Sequence, residues 1–406
     1  MPDPAADPHA FPAFAVALGE EGSDPVVLHD GARVRVDEYA ASGHLDRMDD
    51  DLAAVAALGV TTWRYGMPWR LTEPEAGRYD WTWWDRAFAA CERHGLTPVV
   101  DLLHFGLPDH LGDAFADPRW VEPFGRYVDA FLARYPEPRW FTPVNEPGVT
   151  ALFSTALGIW NDRVADPDAY AAALANIVEA NLDALARIRA DRDAWWIGSE
   201  GFAAQAVDPG DADGAVAAAE ARHREWVIWD LHLGVDPVGP AAEIVVRIDP
   251  RQRDRIQALV GTVPPDRIVC GHDPYPVGCT AVGSRAGGPL SLGERVDAYV
   301  ATAAAWSERY RLPFWVSETS NLGLPVEDQR AWLAAMVEGL DGLASAGHPV
   351  RGICWYSRGD QYDWDLALTQ PIGEVTTVGL FDADRRARPV AADYAALAAA
   401  RAGTTA

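Results

Sequence analysis

Eight short runs rich in β-branched and aromatic residues alternate with longer Ala- and Leu-rich runs along the whole chain, and this alternation restricts the fold more than any other feature. The short runs are FAVAL at 14–18, TTWRY at 61–65, TPVVDLL at 97–103, WFTPV at 140–144, AWWIG at 194–198, RIVCG at 267–271, FWVS at 314–317 and GICWYS at 352–357. Between them, stretches such as LDRMDDDLAAVAALG, WWDRAFAACERHG and ERVDAYVATAAAWSERY space apolar residues at helical intervals and stop at Gly, Arg or His. No Pro/Ser linker or change of composition interrupts the beat, which predicts a single α/β domain over 1–406, a (β/α)8 TIM barrel, with 1–10 as a flexible N-terminus. A doubly wound sheet would carry a Gly-rich phosphate turn after its first strand, and the chain has no G-x-G-x-x-G. The weakest stretch, 200–265, is expected to be helices and loops inserted between the fifth and sixth strands.

In such a barrel the chemistry sits where strands end, on one rim. Arg64 follows the second strand, His104 the third, Asn145-Glu146-Pro147 the fourth, Glu200 the fifth, Asp273 and Tyr275 the sixth, Glu318 the seventh, and Trp355, Tyr356 and Ser357 the eighth. Carboxylates, one Arg, one His and several aromatics on one rim outline a site that cleaves sugars.

Composition removes competing chemistries. The chain has no Lys, so Schiff-base aldolases, pyridoxal-phosphate enzymes and P-loop nucleotidases are excluded. A formal charge of −26 repels nucleic acid. No apolar run approaches a membrane span, and the opening MPDPAADPHA lacks the basic start and apolar core of a secretory signal, so a cytoplasmic protein is expected. The four cysteines form no C-x-x-C pair and read as buried free thiols. The 17 Trp read mostly as core, with some free to stack on a sugar ring.

Glycosidic cleavage needs one carboxylic acid to protonate the leaving oxygen and one carboxylate facing the anomeric carbon, and Glu146 and Glu318 are the pair that both end strands. Glu146, before Pro147, could instead cap a helix. Arg64 would favour the ionised form of Glu318, and Tyr275 could donate a hydrogen bond to it. His104 could bind a sugar hydroxyl. It could also join Asp101, Asp109 and His110 around a metal, although no H-x-H or H-E-x-x-H motif supports that. No G-x-S-x-G elbow marks a serine nucleophile.

These residues resemble glycoside hydrolase family 1, the β-glucosidase-type retaining enzymes, over most of the chain. WRYGMPWRLTEPEAGRYDWTWWD resembles that family's second-strand block, LLHFGLPDHLGD its third, RWFTPVNEP its acid/base block and FWVSETSN its nucleophile block. GICWYSRGDQYDWD and GLFDADRRARPVAADYAAL resemble its eighth strand, sugar-binding loop and closing helix. The resemblance implies Glu146 as acid/base, Glu318 as nucleophile and Asn145 on the sugar's 2-hydroxyl, with His104, Arg64 and Tyr275 in support. Tyr356 stands at the family's Trp platform, with Trp355 as the alternative, and Asp363 and Trp364 on the loop that grips the far hydroxyls. Glu20 is the candidate for the Gln that follows the first strand. The chain departs from the family's pattern at Thr319-Ser320 after the nucleophile, at Phe105-Gly106 and at Asp363, which is one methylene shorter than the usual Glu.

The resulting expectation is a divergent retaining β-glycosidase that hydrolyses a small-molecule glycoside or oligosaccharide by double displacement, with no cofactor and no metal. The rivals are a sugar-binding barrel without turnover and a transglycosidase acting on a small acceptor. Acidic Asp360, Asp363 and Asp365 against the single Arg358 weigh against a 6-phosphorylated sugar, and oligomeric state stays open.

Overall fold

A computed structural model describes Asp7 and residues 9–402. Most of the segment expected to be flexible, 1–10, therefore lies outside the described residues; within it, the His9 carbonyl accepts a hydrogen bond from the Trp140 indole at 2.9 Å.

Eight parallel strands close into a barrel. They are β1 (Ala15–Gly19), β2 (Thr62–Gly66), β3 (Thr97–Asp101), β4 (Trp140–Thr142), β5 (Trp195–Ile197), β6 (Ile268–His272), β7 (Phe314–Thr319) and β8 (Val350–Trp355), one in each predicted run. Closure is made at β1, where Ala17 pairs with Cys354 of β8 on one side and Thr62 of β2 on the other. The (β/α)8 expectation is met, because each connection returns through helices and the strands run in sequence order around the ring.

The helices begin and end on local signals. The helix Leu292–Tyr310 opens on a reciprocal capping box between Ser291 and Glu294 and closes on Arg311 in the left-handed region. The helix Thr82–His94 closes on left-handed Gly95, whose amide returns to the last turn. Between β5 and β6 lie the helices Ala212–Glu225, Val227–Leu233, Pro240–Val245 and Pro250–Leu259, the insertion expected there.

Period-two alternation sorts the barrel side chains. Ala15, Ala17, Val99, Trp140, Trp195, Ile197, Val269, Trp315, Cys354 and Tyr356 fill the interior, while their neighbours face the helical shell. Gly19 continues the interior set of β1, and a Cβ there would meet the Tyr356 ring at 2.3 Å. Nine tryptophans are fully buried, so core use dominates as expected, and the four cysteines are buried and free. Among the described residues no helix is long and apolar enough to cross a membrane.

Candidate active site

The parity that fills the barrel also builds the rim. Inward Val99 of β3 puts Asp101 inward, Ile197 of β5 is followed by inward Ser199, and Val269 of β6 by Asp273, while Arg64 points in from β2. On β7 the ladder to β8 shifts register between Val316 and Thr319, so that Ser317 and Glu318 both reach the mouth. Asp273 and Glu318 line the floor of a cavity of about 770 Å³, with the others packed behind them.

Glu318 is held from both sides. Arg64 Nη1 donates to its Oε1, and the Tyr275 hydroxyl donates to its Oε2 at 2.8 Å. The second guanidinium nitrogen of Arg64 donates to Asn145 Oδ1 and, at 3.1 Å, to Asp101 Oδ2. Asp101 Oδ2 also meets His104 Nδ1 at 2.8 Å, and His104 Nε2 faces Asn145 Nδ2 at 3.1 Å. Burial would lower the His104 pKa, but Asp101, Glu21 and Glu318 lift it above the ordinary range. This ring of contacts, buried except at the part-buried Tyr275, fixes Arg64 as a cation shared by two carboxylates.

Glu146 faces Glu318 across the floor: oxygens of Glu146, Asp273 and Glu318 lie within 4.8 Å of one another. Glu146 sits at φ 37°, ψ 61°, just before the helix Pro147–Ala151, and makes no side-chain cap to it. Glu200 makes that cap instead, accepting the amides of Gly148 at 2.7 Å and Val149 at 3.3 Å. The Glu146 carboxyl is thereby left free, and its pKa is raised well above the carboxylate range by burial first and then by the charges of Glu318 and Asp273. Burial likewise raises Asp273, whose oxygens accept from the hydroxyls of Ser199 and Ser317.

Of the residues singled out in the sequence, Glu146, Glu318, Tyr275, His104, Glu200 and Trp364 line the cavity. Arg64 and Asn145 lie beneath its floor, at 1% and 0% exposure. Glu20 is not part of the site: alternation turns it outward, where Arg358 grips it with two nitrogens at 2.6 and 2.9 Å. The inward side chain after β1 is Glu21, which accepts from Gln361 Nε2 at 3.1 Å and stands 3.7 Å from His104 Nε2. Burial raises its pKa. Parity with Ala15 and Ala17 was the signal that distinguishes Glu21 from Glu20.

The platform expectation also needs correction. Trp355 points into the shell, its indole donating to the Val378 carbonyl at 2.9 Å. Tyr356 does point inward but packs below the floor, its ring stacked on His104 and 5.3 Å from the Arg64 guanidinium, with its hydroxyl on the Glu20 carbonyl. Asp363 is occupied as well: its oxygens accept the amides of Gly373 and Glu374 at 2.9 and 2.8 Å, which ties down its own loop. Gln361 and Trp364 are the residues of that loop that reach the cavity.

The four-residue metal grouping does not assemble. Asp109 turns to Arg35 at 2.5 Å and His110 lies 3.8 Å from Glu73, away from the Asp101–His104 pair.

The family model described as glycosyl hydrolase family 1 matches residues 30–236, half of the chain. A 6-phospho-β-galactosidase of Lacticaseibacillus rhamnosus is 32% identical over 140 residues, 32% of this chain and 29% of that protein. The human cytosolic β-glucosidase is 25% identical over 129 residues, 30% of this chain and 27% of that protein. The chain thus matches less than a third of the length of either relative. Among solved structures, the β-glucosidase from Thermotoga maritima in complex with glucoimidazole superposes with a TM-score of 0.76 at 16% identity, covering 97% of this chain and 99% of that one. The similarity establishes a shared barrel fold.

Proposed function

The chain belongs to glycosyl hydrolase family 1, and from that premise we propose that it is a single catalytic domain acting as a retaining β-glycosidase in the cytoplasm. The observation that carries the reading is the unequal treatment of two carboxyls whose oxygens approach within 4.8 Å: Glu318 is clamped by Arg64 and Tyr275, while Glu146 is unclamped and proton-retaining. A separation near 5–5.5 Å suits a nucleophile and an acid/base, whereas an inverting pair needs about 6.5–9.5 Å to admit a water between them.

Glu318 attacks the anomeric carbon as the glycosidic bond breaks, and Glu146 delivers its proton to the leaving oxygen. A water then attacks the glycosyl-enzyme ester, giving its proton to Glu146 and freeing Glu318. The substrate is a small neutral β-glycoside. Arg358 is committed to Glu20 and to Asp51 at 3.0 Å, Arg388 to Asp360 at 2.6 and 2.7 Å, and the arginines lining the cavity, Arg224 and Arg247, come from the β5–β6 insertion. A sugar 6-phosphate therefore meets no free cation at the catalytic end among the described residues. A net charge of −26 also weighs against nucleic acid as a partner.

Hydrolysis of aryl β-glucoside, galactoside, fucoside, xyloside and mannoside by the wild type and by Glu318→Ala tests the reading. Release of the aryl group by the wild type alone supports it, and turnover of none of them contradicts it.

A further inference from the structure

On the retaining β-glycosidase reading, on which this inference rests, Glu146 must hold a proton before the first step and take one from water in the second. The negative charge of Glu318 helps it do the first but not the second, because that charge is gone once Glu318 is bonded to the anomeric carbon. A third carboxyl stands in the same cluster. Asp273 follows β6, is 3% exposed and lines the cavity, and its oxygen lies within 4.8 Å of those of both Glu146 and Glu318. Its backbone is pinned to the end of β5, the amide donating to the Glu200 carbonyl at 2.9 Å and the carbonyl accepting from the Phe202 amide at 3.3 Å.

Three carboxyls this close do not all ionise near neutral pH, and their hydrogen bonds decide which one keeps its proton. Arg64 and Tyr275 donate to Glu318. The Ser199 hydroxyl donates to Asp273 Oδ2 at 2.6 Å and the Ser317 hydroxyl to Oδ1, and both bonds, with the Arg64 charge, favour ionised Asp273 against its burial. Among the described residues no side chain donates to Glu146. The other groups facing the pair do not alter this order. Burial keeps Tyr275, Tyr299 and Cys354 in their neutral forms, and the Glu200 carboxyl is spread over the amides of Gly148, Val149 and Gly201.

We propose that Asp273 is a positioning residue for the acid/base proton: an anion held by Ser199 and Ser317 that keeps the proton on Glu146 before the first step and keeps Glu146 basic while Glu318 is tied up as the ester. In the second step the water oxygen bonds to the anomeric carbon, its proton goes to Glu146, and the electron pair of the breaking ester bond returns to Glu318. Asp273 forms no bond to the sugar in either step, so its charge acts on Glu146 throughout the cycle.

Asp273→Asn keeps the shape and removes the charge. On the aryl glycoside preferred in the panel, the alkaline limb of kcat/KM is expected to move down by about one pH unit or more. A dinitrophenyl glycoside has a leaving group good enough to make the second step limit kcat, so the acid limb of kcat reports Glu146 in the glycosyl-enzyme and should move down by a similar amount. The position of a limb does not depend on how much enzyme is folded, and Asp273→Ser, a second neutral variant, should shift both limbs in the same direction. Either limb staying in place or moving up overturns the proposal. Should no glycoside be cleaved, the β-glycosidase reading fails separately. Carbon NMR of protein labelled at the glutamate carboxyls then decides: the resonance identified by its absence in Glu146→Gln should titrate about one unit or more lower in Asp273→Asn than in the wild type, and equal titration overturns the proposal.

Discussion

Arg64 and Glu318 form an ion pair beneath the cavity floor, and the same guanidinium also reaches Asp101 and Asn145, so one cation serves the proposed nucleophile and the group that orients His104. Arg64→Met removes the charge and leaves two buried carboxylates without it. Breaking a buried pair in this way costs about 3–5 kcal/mol. We expect a large fall in melting temperature together with a loss of kcat of roughly a hundredfold or more. Arg64→Lys should rescue only part of both, because an ammonium cannot span three acceptors in a plane. Denaturation and steady-state kinetics on the two variants check this.

Tyr275 offers a milder perturbation of the same carboxylate. Tyr275→Phe keeps the ring and removes one hydrogen bond to Glu318, an interaction with a charged group worth about 1.5–3 kcal/mol. The expected effect is a roughly 10- to 100-fold drop in kcat/KM with the fold intact by circular dichroism.

The adjacent acids Glu20 and Glu21 should separate cleanly. Glu20→Ala takes two hydrogen bonds from the buried Arg358 and leaves it Asp51 alone, which is expected to lower the melting temperature while leaving KM within about twofold. Glu21→Ala opens the cavity wall beside His104 and Gln361 and is expected to raise KM instead. Thermal melts and KM values on both variants read the contrast directly.

That contrast also marks how far the sequence could be read. The eight strands were legible because each is a short apolar run between helices with clear stops, and Glu146 and Glu318 because both follow such runs. What strand ends alone did not reveal was which of two neighbours turns inward. Parity from Ala15, Ala17 and Cys354 would have selected Glu21 over Glu20 and Tyr356 over Trp355. The engagement of Asp363 by the Gly373 and Glu374 amides was not legible, because it depends on a loop closing on itself ten residues later. The role of Glu200 as the cap that frees Glu146 is likewise a long-range contact, across 52 positions.

Several buried carboxyls hold protons more tightly in the fold than they would in the unfolded chain. Burial raises Asp24 to about 7 and Glu200 and Glu225 to about 8, and raises Glu21, Glu146 and Asp273 as well. A raised folded pKa means that the native state binds more protons, so the stability these groups contribute is full below their unfolded values near 4 and is lost as the pH rises through 7–8. Carboxylates lowered by Arg partners, such as Asp193 at about 2, act oppositely and fail only below about pH 4. Melting temperature is therefore expected to decline from mildly acidic pH toward pH 8, and a rise over that window would contradict these assignments.

Activity follows the same proton. The first step needs protonated Glu146, so kcat/KM should fall on the alkaline side as the raised Glu146 pKa is passed. Glu146→Gln should abolish that alkaline limb on a substrate whose leaving group needs no protonation, such as a dinitrophenyl glycoside, while slowing the second step. A pH-rate series on both proteins checks the assignment.

The central claim is double displacement between Glu318 and Glu146, and the stereochemistry of the first-formed product tests it most directly. Proton NMR of an aryl β-glycoside during the first minutes of hydrolysis should show the β-anomer of the free sugar appearing first, with the α-anomer growing only through mutarotation. Initial release of the α-anomer would mean a single inverting displacement, and would contradict Glu318 as the nucleophile.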